Sequence, residues 1–177
     1  MKNYFFLTLL IIGSNLLAQQ MTLGFRLEPF LYSGGYNIER PDKDEANFYL
    51  TSLYLTSSFA IDDFFQTQAR LGYLATKSRS YNGLEGTALL LLNYKSGFAP
   101  TVGFNFHKNN IYEGDYISVK KTVIVSPLVG FEGRFGDNFQ CGITIQFPIN
   151  SEFIEYGGSK YHVRYLIKCS FGWEFVL

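Results

Sequence analysis

The feature that most constrains this chain is a two-residue alternation that recurs in eight segments, roughly 20–32, 48–60, 65–78, 84–95, 100–108, 119–135, 139–149 and 161–177. Successive side chains of a strand point to opposite sides, so each segment can be sorted into two faces. In the last segment one face is Val163, Tyr165, Ile167, Cys169, Phe171, Trp173, Phe175 and Leu177, and carries no charge. The other is His162, Arg164, Leu166, Lys168, Ser170, Gly172 and Glu174. The preceding segment sets Phe139, Cys141, Ile143, Ile145 and Phe147 against Gln140, Gly142, Thr144 and Gln146. Each segment has one mainly apolar face, and windows with helical spacing are few. The chain reads as all-β.

Two architectures give every strand one apolar face. A soluble sandwich or lipocalin-like barrel turns it inward onto a core or an apolar ligand, whereas a membrane barrel turns it outward to lipid. The second face separates them. Here it is mostly Gly, Ser, Thr, Gln and Asn with a few charges, which suits a crowded barrel interior better than a solvated exterior. The segments also supply the 9–11 residues a spanning strand needs. Connections alternate between short turns (Ile61–Phe64, Ser96–Ala99, Gly136–Asn138) and longer loops. Phe59, Phe64, Phe65, Phe135, Phe139, Trp173 and Phe175 gather on the short-turn side, as an interfacial girdle would; aromatics also simply favour strands. Pro29 and Pro127 cannot donate to a ladder, so a bulge or strand end is expected at each.

Composition agrees. Charged residues are 17% and aromatics 18%, against about a quarter charged in ordinary soluble domains, so something other than water is expected to meet part of the surface. Lys plus Arg equals Asp plus Glu at 15 each, leaving no basic field for nucleic acid. Residues 1–18 read as a cleaved secretory signal: Lys2, an apolar run from Tyr4 to Ile12, then Gly13-Ser14-Asn15-Leu16-Leu17-Ala18 before Gln19. The apolar run is too short to span a membrane as a helix. The remaining residues, 19–177, are expected to form one barrel domain.

The stretch Ser170-Phe171-Gly172-Trp173-Glu174-Phe175-Val176-Leu177 resembles the C-terminal assembly signal of Gram-negative outer-membrane barrels, with Ser170, Gly172, Phe175 and Leu177 at its characteristic positions. It ends on Leu rather than the commoner Phe. With eight alternating segments and an export signal, the layout resembles the small OmpA/OmpX-type eight-stranded barrels. That resemblance implies insertion by the barrel-assembly machinery, periplasmic termini, long loops outside the cell and contact with outer-membrane lipid. It supplies no catalytic residue, and no peptidoglycan-binding domain is expected after the last strand.

By this register Arg26, Glu28, Arg70, Glu85, Glu132, Arg134, Arg164, Lys168 and Glu174 face the interior. Charges removed from water need partners, so an Arg/Glu network plugging the lumen is expected, with a narrow solute channel as the alternative. Catalysis is not expected. Lipid A deacylases of similar size carry a His and a Ser two residues apart, but here His162 is followed by Arg164 and His107 by Asn109, neither a nucleophile, and both histidines are expected at the rim. A zinc site would need more His and Cys ligands than this chain can gather at one place, and no cofactor is implied. Asp42, Asp44 and Glu45 in the first long loop suit a cation or sugar, or simply a solvated acidic loop. Cys141 and Cys169 share the outward face of adjacent strands; a loop centred near Glu155 would put them opposite each other, as a disulfide or as two lipid-facing thiols. The extracellular partner is not legible.

Overall fold

The computed structural model describes residues 21–35, 45–49, 52–76, 81–110, 117–119, 123–149, 152–156 and 159–177. The expected signal segment, Asp42 and Asp44 lie outside these, as does the side chain of Glu45. Twelve strands follow in chain order: β1 Met21–Leu27, β2 Phe30–Gly35, β3 Glu45–Tyr49, β4 Ser52–Ala60, β5 Phe65–Leu74, β6 Gly83–Leu92, β7 Phe98–Asn109, β8 Ile117–Val119, β9 Val123–Phe135, β10 Phe139–Gln146, β11 Glu152–Tyr156 and β12 Ser159–Val176. They make eight staves of one antiparallel barrel, because β2, β3, β8 and β11 prolong β1, β4, β9 and β10 on the long-loop side. The ring runs β1-β4-β5-β6-β7-β9-β10-β12, and pairing of β12 with β1 closes it.

Register fixes the geometry of closure. The row of partners that starts at Val176 passes through Thr22, Ser58, Gln68, Leu89, Gly103, Leu128 and Gln146 and returns to the same strand at Leu166, ten residues further out. A climb of this size over eight strands tilts each strand by about 40° and leaves an interior that side chains can fill.

Three local features depart from strict alternation. Pro29 falls in the break between β1 and β2, where its carbonyl accepts from Cys169 N at 2.9 Å. Pro127, by contrast, stays inside β9 with an unbroken register opposite Phe104, so the expected bulge or strand end is not in its own strand. Its carbonyl accepts from Phe147 N at 3.0 Å, and it has no N–H to return the bond; β10 ends just there, at Gln146. The third is a register shift in β12 between Val163 and Tyr165, opposite β2. It turns Arg164 to the exposed exterior, correcting its expected place in the lumen, because an extra residue in one strand reverses the alternation beyond it.

The cysteine pairing also needs correction. Cys141 stands opposite Phe171, and Cys169 opposite Ile143, so the two are diagonal rather than facing. Diagonal neighbours are about 7–8 Å apart, beyond ordinary disulfide reach, and both are free thiols, half-buried on the outward face.

Candidate functional site: the barrel lumen

The barrel is apolar outside and polar inside. Outward residues include Leu55 at 68% exposure, Leu71 at 63%, Phe131 at 44% and Phe104 at 50%. Inward ones include Arg26, Glu28, Gln66, Gln68, Glu85, Asn105 and Lys168, all nearly sealed from solvent. A soluble barrel has the opposite polarity; this one suits lipid around it.

The half of the lumen nearer the short turns is filled by a charge network. Arg26 Nη1 donates to Glu132 Oε2 at 2.6 Å, and its Nη2 reaches Glu174 Oε1 at 3.2 Å and also Gln140. Arg70 bonds Glu28 Oε1 at 2.7 Å and the other oxygen of Glu132, so Glu132 joins both guanidinium groups across the barrel. Glu174 is completed by neutral donors: Thr22 Oγ1 at 2.8 Å, Ser58 Oγ at 2.9 Å and Gln68 Nε2 at 2.6 Å. Inward glycine makes room for this. A Cβ at Gly142 would sit 2.6 Å from the Glu132 carboxyl carbon. Arg134 stands apart, half-buried at the short-turn mouth, where with Glu132, Gln140 and Gln66 it lines a pocket of about 10 Å³, space for about one water.

Further out lies a second cluster. Lys168 Nζ donates to Tyr54 Oη at 2.9 Å and pairs with Glu85. Glu85 also accepts from Tyr54 and from Asn105 Nδ2 at 3.0 Å, and faces His107 Nδ1 at 3.2 Å. His107 is therefore not a rim residue but a buried one, its ring stacked on Tyr81 at 4.0 Å.

Above both clusters the lumen changes character. Phe30, Tyr32, Leu74, Tyr81, Ile124, Tyr161, Val163 and Leu166 pack into a buried apolar layer, with Tyr32 stacked on Tyr81 at 5.9 Å and on Tyr161 at 6.4 Å. The expectation of charges in the short-turn half was legible from alternation. The apolar layer was not anticipated, although Leu166 shares the alternating face of Lys168 and gave the available signal.

The C-terminal motif splits between the faces: Ser170 and Gly172 are buried inward, and Phe175 and Leu177 are exposed outward. The aromatics of the short-turn end form a level ring. Once the climb of the rows around the barrel is taken out, Phe59, Phe65, Phe98, Phe135, Phe139 and Phe175 lie within about one residue rise of a common height, with Trp173 a step above. Phe139 contacts Phe135 at 6.4 Å and Trp173 at 5.2 Å between ring centres.

No family model and no curated protein matches this chain. Among solved structures it is similar to the N-terminal β-barrel domain of Pseudomonas aeruginosa OprF, at 10% identity and TM-score 0.49, over 89% of this chain and 99% of that one. Neisserial surface protein A is similar at 12% identity and TM-score 0.49, covering 88% and 97%. The outer membrane protein OprG from Pseudomonas aeruginosa gives 11%, 0.48, 88% and 96%. At this distance the likeness stops at the layout of the fold, which the strand pairing already establishes.

Proposed function

We propose that this chain is a non-enzymatic outer-membrane protein whose plugged barrel anchors extracellular loops that engage a surface partner. The observation that carries the reading is the Arg26–Glu132–Arg70 bridge, which crosses the lumen in the half nearer the short turns, with the Tyr32–Tyr81 layer on its long-loop side. Potential catalytic groups are already committed: Glu85 serves Lys168 and Tyr54, and His107 lies between Glu85 and Tyr81 beneath the apolar layer. Export through residues 1–18 and recognition of Ser170, Gly172, Phe175 and Leu177 by the barrel-assembly machinery complete the proposal.

The test has two arms. The purified protein should insert into lipid vesicles and migrate differently on a denaturing gel before and after heating. In planar bilayers it should show no steady ion conductance. Recovery as a soluble protein without detergent would overturn the membrane reading, and a steady open channel would overturn the plug.

A further inference from the structure

One inward cation of the short-turn half takes no part in the charge network. Arg134 is half-buried at the mouth, and its guanidinium makes no ion pair or hydrogen bond with any described residue. The inward carboxylates near it are already committed: both oxygens of Glu132 are held by Arg26 and Arg70, and Glu174 is held by Arg26, Thr22, Ser58 and Gln68. Acids of the short turns do not reach it either. Asp63 pairs with Lys95, Asp62 Oδ1 accepts from the N–H groups of Phe64 and Phe65 at 2.8 and 2.6 Å, and Asp137, exposed in the turn that follows Arg134, forms no ion pair with it.

What Arg134 does meet is the pocket of about 10 Å³ that it lines with Gln66, Tyr94, Glu132 and Gln140, room for about one water-sized body. The chemistry of that lining is one-sided. Gln140 Oε1 already accepts from Arg26, so the end of its amide still to be used is the NH2 group. Gln66 is only 3% exposed, and its side chain makes no hydrogen bond with a described residue, so its NH2 group is equally uncommitted. Tyr94 adds a hydroxyl that can donate. Glu132 brings the pocket's only carboxylate, and two guanidinium groups neutralise it. Donors around an unpaired guanidinium select an anion, since a hydrogen bond with one charged member is about twice as strong as a neutral one. Water would fill the space but leave the positive charge unmatched, and a phosphate is too large to enter it.

We propose that this pocket is a halide site, binding one chloride ion between the Arg134 guanidinium and the amide N–H groups of Gln140 and Gln66. The ion stops there, because Glu132 and its bridge to Arg26 and Arg70 lie directly behind. The site is therefore a binding place at the mouth and not a station on a path through the barrel. It goes beyond the surface role above and depends only on the folded barrel.

The test uses the folded protein in nonionic detergent and a chloride-free gluconate buffer. Chloride is titrated in, binding is read from the broadening of the chlorine NMR line, and bromide serves as competitor. Wild type should broaden the line saturably, and bromide should reverse the effect. Arg134→Gln should weaken binding about tenfold or more. Gln66→Glu, which sets a carboxylate beside the guanidinium in the place of the anion, should weaken it as far while Arg134 is retained. Lys95→Gln, which removes an exposed cation outside the pocket, should bind as wild type does. Strand content by circular dichroism confirms the fold of each variant, and Gln66→Glu decides the matter if Arg134→Gln does not fold. Absence of saturable broadening in wild type would overturn the proposal, as would broadening that survives Gln66→Glu or that Lys95→Gln abolishes.

Discussion

The two halves of the lumen solve the same packing problem with opposite chemistry. The half nearer the short turns holds Arg26, Arg70, Glu28, Glu132 and Glu174, whereas the half toward the long loops holds Phe30, Tyr32, Leu74, Tyr81 and Leu166. Charge fills the lumen near the short turns, and apolar bulk fills it toward the long loops. A charged pair deep in the barrel is secured by the lack of competing water, provided every lone pair and proton has a partner; the apolar layer outside it keeps that water away. The comparison teaches that the packing of the lumen has a specific part, which should break all at once, and a filling part, which should degrade in proportion to volume lost.

The largest effect should come from Glu132→Ala, which strands two guanidinium groups together. A loss of about 3–5 kcal/mol is expected in urea unfolding from lipid vesicles, followed by the fluorescence of Trp173, with new ion conductance in planar bilayers. Leu166→Ala in the other half should cost about 2–5 kcal/mol by leaving a cavity, yet conduct no ions because the Arg/Glu level remains intact. Conductance in that variant would show that the two halves are not independent. Ser58→Ala removes one neutral donor from Glu174 and should cost about 1.5–3 kcal/mol, sharpening how far neutral groups contribute to the charged half. The smallest effect belongs outside the lumen. Both Cys141 and Cys169 should be alkylated in unreduced, denatured protein, adding two labels by mass; an unlabelled pair would mean that the strands shift enough to join them.

Most of the charged half was readable because it depends on parity alone. Once one face of each strand is assigned to lipid, Arg26, Glu28, Arg70, Glu132, Lys168 and Glu174 have nowhere to go but inward, and the short turns assign most of them to one end. Arg164 escaped that logic, since a register shift between Val163 and Tyr165 in β12 reverses the parity there and no local residue type announces it. The cysteines escaped for a related reason: the centre of the loop between β10 and β12 sets which residues face each other, and a loop length estimated from sequence left the register two residues out. Pro127 was correctly suspected of breaking a bond but not of where, because its missing donor points toward β10, whose ladder ends there.

By itself the sequence determined the number of barrel staves, the outward apolar side of nearly every strand and the gathering of charges in the short-turn half, consequences of a two-residue period that needs no partner to be read and of where the short turns fall. Only the tertiary structure decided which inward residues meet. Arg26 and Glu132 are 106 positions apart in the chain yet bond at 2.6 Å, and they do so because the barrel closes with a ten-residue climb that brings their strands to matching heights across the lumen. Alternation sets the side on which a group lies; closure sets its height, and height is what chooses its partner.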